Sequence, residues 1–341
     1  MLQPSFFDTE ERLKKLDQHG DPLKAINEVV DWHVFPPILT KGLKIARKTK
    51  AGRPSYDALL MFKMVILQSL YNLGDDQTEY QVRDRLSFQR FLGLEAESKV
   101  PDAKTLWLFK ESLKKGMLDE TLFGAFGRYL EQLGLTAQQG TVIDARIIPV
   151  PKQRNTLEEN QTLKDGLIPS DWVKKPHKLA QKDTQARWTM KRKQSYYGYK
   201  NHIGVDVKHK FIRRYAVTSA EVHDSQVFEP LLDERNTKRT VYADSAYRSE
   251  EAEALLQEKG YISRVHHRAW GGQSLTTLQT RWNKARSKVR ARVEHVFGHQ
   301  VQSMQQTLVR GIGLERMRLK IGIANLAYNM RRLTLWQIVE T

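Results

Sequence analysis

Apolar residues recur at helical spacing through residues 1–136, with no strand-type alternation. The run Asp57–Tyr71 (DALLMFKMVILQSLY) predicts a long, well-buried helix, with Ser55 behind Pro54 as its N-cap. Thr78–Leu92 predicts a second helix with Val82, Leu86 and Phe91 facing inward. Pro101-Asp102 opens a third, with Leu106, Phe109 and Leu113 in helical register. A fourth fills 117–134 and stops at Gly134. The pattern changes at Gly140. Thr141–Val150 is β-branched and apolar, which predicts a strand. Residues 151–195 are polar, basic and aperiodic, which predicts a long loop. Gly198–Val207 and Phe211–Ser219 read as two strands joined by a tight Lys208-His209-Lys210 turn. A short helix (Ser225–Glu234), a strand (Thr240–Asp244), a helix (Glu250–Lys259) and a strand (Tyr261–His266) follow, then helices over 276–309 and 314–338. This order predicts an α/β fold: a mixed sheet flanked by helices on both faces, preceded by an all-helical N-terminal domain. The boundaries read as 1–136 and 137–341, with a basic loop at 151–197.

Composition adds a partner. The chain of 341 residues carries 56 Lys and Arg against 39 Asp and Glu, a formal charge of +17. Such an excess points to a polyanion, above all nucleic acid, although a merely basic soluble protein has the same arithmetic. There is no cysteine, so disulfides, cysteine-based zinc sites and thiol nucleophiles are excluded. No apolar run reaches the roughly 18 residues of a membrane span, and the N-terminus lacks a signal-peptide pattern. A soluble, intracellular protein is expected.

Three carboxylates stand out against this background. Asp144 and Asp244 each close a short apolar run, Val142-Ile143 and Val241-Tyr242-Ala243. Glu294 lies on an Arg-rich amphipathic helix whose apolar stripe is Val289, Val293, Val296, Phe297, Met304 and Leu308. Each has an ordinary reading. Asp144 caps a turn or pairs with Arg146; Asp244 caps the helix near Ser249; Glu294 pairs on the surface with Arg290, four residues earlier. Together, two strand-borne aspartates and a helix-borne glutamate make a site for hard divalent cations. Mg²⁺ takes oxygen ligands, and a two-ion site can clamp both oxygens of an in-line phosphoryl displacement. On this reading Arg290 helps to hold Glu294.

The segments Gly140–Ile148, Lys200–Asp206, Tyr242–Tyr247 and Val289–His295 resemble the catalytic core of bacterial insertion-sequence DDE transposases of the insertion-sequence-five group. Gly52-Arg-Pro54, Leu70–Leu73, Phe91–Leu94 and Val100–Asp102 resemble the helical domain of the same proteins, in the same order, so the likeness spans about residues 45–335. It implies a ribonuclease-H-like fold with Asp144, Asp244 and Glu294 as catalytic, metal-binding triad, served by two Mg²⁺ ions for which Mn²⁺ substitutes. The family signature places a Tyr seven residues before the glutamate, an Arg four before and a Lys seven after. Arg290 matches, whereas Ser287 and Val301 stand at the other two positions, which would contact a terminal phosphate rather than the metal. His223-Asp224 resembles a His-Asp pair of related transposases, so His223 is expected near the site; a turn capped by Asp224 is the other reading. Asp206 and His266-His267 read as turn chemistry and as residues without metal-ligand spacing.

Residues 174–200 hold nine Lys or Arg and one acidic residue, interleaved with Trp188, Tyr196, Tyr197 and Tyr199. Lys174, Lys175, Arg187, Lys191, Arg192, Lys193 and Lys200 are expected on phosphates, and Trp188 and Tyr197 on distorted or flipped bases. A solvated basic loop whose tyrosines pack on the sheet is the other reading. Arg53, in Lys48–Pro54, is expected in a minor groove. The resemblance implies a homodimer or larger assembly on double-stranded DNA. That DNA comprises terminal inverted repeats, cleaved at the ends, and a target joined to the 3′-hydroxyls. It also implies a cytoplasmic bacterial protein, on the nucleoid when bound. A ribonuclease-H-like nuclease that cuts without joining, and an inactive transposase-derived regulator, are the alternatives.

Overall fold

The computed structural model describes residues 8–43, 55–95, 98–191, 193–269 and 273–340. They fall into two compact units, one up to residue 132 together with those from 326 on, the other from 133 to 325. The sequence places the whole C-terminal stretch in the second domain. In the structure the final helix is divided, and its residues from 326 on group with the first unit. Among the described residues no helix is long and apolar enough to cross a membrane.

The first unit is helical as expected: α1 (Asp8–Gln18), α2 (Pro22–Val29), α3 (Pro36–Gly42), α4 (Ala58–Leu70), α5 (Asp75–Asp84), α6 (Leu86–Leu92), α7 (Ala103–Lys115) and α8 (Leu118–Gln132). Helix α4 is buried nearly all round, as its continuous apolar run requires. Its N-cap is Asp57, which accepts from Leu60 N, not Ser55. Asp102 caps α7 by accepting from Thr105 N at 2.6 Å, a contact worth about 1 kcal/mol. The single helix expected over Thr78–Leu92 is two. Arg85 is extended between them (φ −103°, ψ 118°), and the break lets Phe88 and Phe91 bury. Phe88 then packs on Tyr71 at 5.0 Å and Phe91 on Trp32 at 5.6 Å.

The second unit is built on six strands: β1 (Thr141–Pro149), β2 (Arg187–Lys191), β3 (Gln194–Asp206), β4 (Ile212–Ser219), β5 (Thr240–Tyr242) and β6 (Ile262–Ser263). β3 pairs antiparallel with β1, β4 and, along its first residues, β2. β1 pairs in parallel with β5, and β5 with β6. The result is a mixed sheet, as the sequence order predicts. Alternation along β1 divides two cores. Ile143 packs with Phe228, Leu231, Tyr247 and Leu256, the last from α12 (Glu250–Glu258). Ile148 packs with Tyr199, Met317 and Ile321, the latter two from the first part of α14 (Leu314–Glu340). A buried amide cluster ties β3 to α13 (Thr277–Gln302) and α14. Asn201 and Asn325 exchange hydrogen bonds of 2.9 and 3.1 Å, and Gln300 Nε2 donates to Asn325 Oδ1 at 2.9 Å.

Three expectations fail here for physical reasons. Ser225–Glu234 forms two 3-10 turns, Asp224–Val227 and Glu229–Leu231, because Pro230 supplies no N–H for a continuous helix. α13 ends at Gln302 rather than near 309, so Leu308 leaves the apolar stripe and is exposed. The stretch 151–197 is not a loop: it contains α9 (Leu157–Lys164), α10 (Ser170–Val173), α11 (Pro176–Ala180) and β2. Its one acidic residue after 174 fastens it. Asp183, 1% exposed, accepts from Gln185 N, Ala186 N, Tyr199 Oη and Gly313 N at 2.7–3.1 Å. Trp172, in the same stretch, is fully buried and donates to Glu159 Oε1 at 2.6 Å. At Gly198 (φ +152°) a β-carbon would stand 2.2 Å from Ile148 O, so only glycine lets β3 pass β1 there.

Candidate active site

The register of the sheet brings the two aspartates together. β1 and β5 pair Thr141 with Val241 and Val142 with Tyr242, so two residues further on Asp144 runs beside Asp244. Asp144 is nearly buried. Its Oδ1 accepts from Ala145 N at 2.8 Å and its Oδ2 from Arg290 Nη2 at 3.0 Å. Burial raises its pKa; Arg290 opposes that rise, the Asp244 charge adds to it, and Lys191 also lies near enough to oppose it. Asp244 caps the 3-10 turn Ser245–Tyr247, with Oδ1 accepting from Ala246 N at 2.8 Å. The helix cap near Ser249 is Ser249 itself, which accepts from Ala252 N.

Glu294 is on α13 one turn beyond Arg290, and it is exposed. Arg290 does not hold it, as the sequence predicts, but turns to Asp144. A guanidinium gains more from a buried carboxylate than from a solvated one. Arg146, the other conceivable partner of Asp144, donates instead to Gln306 O, and burial lowers its pKa to about 10. Among the described residues no three His, Asp or Glu side chains are placed to hold a metal ion jointly. The two aspartates do suit one chemically. They are hard oxygen donors of like charge set side by side, one of them desolvated, a repulsion that a divalent cation relieves.

Two further residues join this centre: Asp224, which the sequence reads as half of a His-Asp pair or as a turn cap, and Tyr247, which it does not single out. Asp224 pairs with Lys200 Nζ at 2.8 Å. Tyr247 is 0% exposed, its ring packs on Phe228 at 5.6 Å, and no described group bonds its hydroxyl. Burial pushes this phenol well above its usual pKa, and the charges of Asp224, Asp144 and Asp244 push it further. It therefore remains a proton donor among three carboxylates. Its spacing from Asp244, across one 3-10 turn, is the signal that could have found it. His223 is exposed and caps its own turn, accepting from Ser225 N at 3.3 Å; its neighbour Asp224 is the residue that faces inward.

The expected DNA contacts separate into two groups. Lys174, Lys175, Trp188, Lys191 and Lys193 are exposed. Trp188 is 43% exposed, with Lys152 Nζ 5.6 Å from its ring. Three others are engaged within the fold. Arg187 donates to Leu163 O and Thr184 O and faces Glu221 at 3.3 Å; Lys200 binds Val222 O and Asp224; Tyr197 is 4% exposed under Trp188. A ring so buried presents no face to a base. Arg53 and Arg192 lie outside the described residues.

Known proteins share the sequence pattern of both halves of the chain. Residues 136–330 match the family described as Transposase DDE domain, and residues 10–112 match Transposase domain (DUF772). A solved structure described as the cryo-EM structure of piggyBac transposase synaptic complex with hairpin DNA is similar at 11% identity and a TM-score of 0.46, over 94% of this chain and 76% of that one. DDE transposases normally use a divalent metal. The DDE-domain match covers more than half of the chain and includes both aspartates, the arginine that binds one of them and the glutamate a turn away, and so the chain belongs to the family of DDE transposases.

Proposed function

We propose that the transposase chemistry of this chain runs at Asp144, Asp244 and Glu294. The observation that carries this reading is the strand register that sets Asp144 beside Asp244, with Arg290 of α13 on Asp144. The carboxylates would hold Mg²⁺, or Mn²⁺ in its place, with Glu294 as the third ligand. Bound there, the ions supply activation of water and neutralise charge on the phosphate under attack. Arg290 fixes Asp144, and Tyr247 Oη is positioned to donate to a carboxylate oxygen once those oxygens reorient. The substrate is double-stranded DNA at the element's terminal inverted repeats. Water attacks the phosphorus, the 3′-oxygen leaves as a hydroxyl, and that hydroxyl then attacks a target phosphorus and displaces a second 3′-oxygen. Two ends joined in one event call for a dimer or larger assembly. The exposed Lys174, Lys175, Trp188, Lys191 and Lys193 would meet the DNA.

Asp144→Asn, Asp244→Asn and Glu294→Gln should each abolish cleavage of a duplex carrying the element end, in Mg²⁺ and in Mn²⁺, while gel-shift affinity is retained. Full cleavage by Asp144→Asn removes the assignment. A pre-cleaved end with a free 3′-hydroxyl tests joining: cutting without joining makes the chain a nuclease.

A further inference from the structure

The segment after β6 is fastened to α13. His267 N donates to Asn283 Oδ1 at 2.8 Å, and Asn283 Nδ2 donates back to His267 O at 3.0 Å. Arg286, three residues along the helix, donates to Val265 O at 2.6 Å. Arg248, from the turn before α12, reaches the same oxygen at 3.2 Å and His267 Nδ1 at 3.0 Å. Two guanidiniums thus converge on one carbonyl. Arg264 stands close enough that its charge, with that of Arg248, adds to burial in lowering the Arg286 pKa. Glu253 lies 3.6 Å from Arg248 and also accepts from Ser263 Oγ. Among these contacts three arginines share one carboxylate, Glu253, while Glu250 and Glu251 line the α12 side of Arg248.

His267 completes it. Arginine offers no acceptor, so His267 Nδ1 must accept, and the ring proton sits on Nε2. Nε2 is buried and no described group accepts from it. An N–H without an acceptor, beside three guanidiniums, is a setting short of an anion. Backbone bonds place the cluster. Arg264 N donates to Val241 O and His266 N to Ala243 O, so the chain runs alongside β5 as far as the residue before Asp244. Trp282 rests against His267 at 5.6 Å and is 49% exposed.

The geometry points to a second anion site, in which Arg248, Arg264, Arg286 and His267 grip a DNA backbone phosphate next to the one being cut, with Trp282 along the adjoining sugar and base. The inference rests on the transposase reading for the identity of the anion. Its test does not need cleavage. The double variant Arg248→Gln with Arg286→Gln keeps an N–H for Val265 O, and its fold is checked by circular dichroism and thermal unfolding. On a mixed-sequence duplex its affinity should fall roughly tenfold, and the slope of log K against log salt should shrink by about 1. The Arg248→Lys, Arg286→Lys pair should recover most of that slope. A folded glutamine variant with the wild-type slope overturns the site, even if the protein cleaves element ends. A changed slope supports it even if Asp144→Asn shows the catalytic assignment to be wrong. Sulfate is the remaining arm. If it raises the melting temperature of wild type more than that of the glutamine variant while the DNA slope is unchanged, the pocket holds a free anion and the DNA assignment fails.

Discussion

Tyr247→Phe removes one oxygen and should move stability and activity in opposite directions. The ring stays packed on Phe228, so shape is conserved. The hydroxyl is fully buried, unpartnered among the described residues and held neutral by burial and three carboxylates. A buried donor in that condition costs about 1–3 kcal/mol of stability. Deleting it returns most of that, less the small loss of packing, so a gain of about 1–2 kcal/mol is expected. For a unit of roughly two hundred residues this raises the midpoint by about 2–8 °C. Differential scanning fluorimetry without divalent cation reads that gain. Cleavage of an element-end duplex in Mg²⁺ should fall roughly 10–100-fold, the usual loss when a group that orients metal-binding carboxylates is removed. Mn²⁺ affinity by calorimetry should weaken in parallel. A purely structural tyrosine would lose stability and keep its activity. A fall in the midpoint, or unchanged cleavage with a higher midpoint, refutes the reasoning.

Three other outcomes follow from buried polar groups of the second unit. His202 is 0% exposed, bonds Thr218 Oγ1 at 2.9 Å, and burial lowers its pKa to about 4 against the opposing pull of Asp224. Its folded pKa is below the unfolded value near 6.5, so between those values only the unfolded chain takes the proton; urea titrations should show wild type losing up to roughly 3 kcal/mol as pH falls from 6.5 to 4, a loss that His202→Gln lacks. Asp183→Asn sets an amide N–H₂ among donors from Gln185, Ala186, Tyr199 and Gly313, and should cost about 2–4 kcal/mol with earlier proteolysis within 151–197. Asn325→Ala leaves Asn201 and Gln300 without their shared partner and should cost about 2–4 kcal/mol in denaturant, whereas an exposed control such as Lys164→Ala should change stability by less than about 0.5 kcal/mol.

Local physics was legible in the sequence wherever an element is long enough to repeat its pattern. The helix that begins after Asp102, the strand from Thr141 and the hairpin at Lys208–Lys210 stand where the apolar period and the turn chemistry put them. Short elements escaped. α10 and α11 are four and five residues long, too short to show a helical period, and they are held by the bonds of Trp172 and Lys178 to Glu159 rather than by propensity. The break at Arg85 also escaped, because it serves the burial of Phe88 and Phe91 and not the preference of the residue that bends. Both aspartates could be found because each ends an apolar run, and the run fixes which strand carries it. Which charge each would meet could not. Arg290 and Asp144 are 146 positions apart, and only the docking of α13 on β1 decides that the arginine leaves its helical neighbour Glu294 for the buried carboxylate.

That choice has a consequence for how the site would load. Arg290 occupies an oxygen of Asp144 while Glu294 faces solvent on the next turn of the same helix. The ion pair offsets the desolvation of Asp144, which the neighbouring Asp244 charge makes worse. A cation arriving between the aspartates would take over that compensation and leave the guanidinium to a phosphate, the other bidentate partner for which its fork is shaped. One helical turn would then bring two opposite functions to the same strand ends, a carboxylate for the ion and an arginine for the DNA. Only their order on α13, Arg290 before Glu294, is written in the sequence; the pairing of Arg290 with Asp144 is set by the fold.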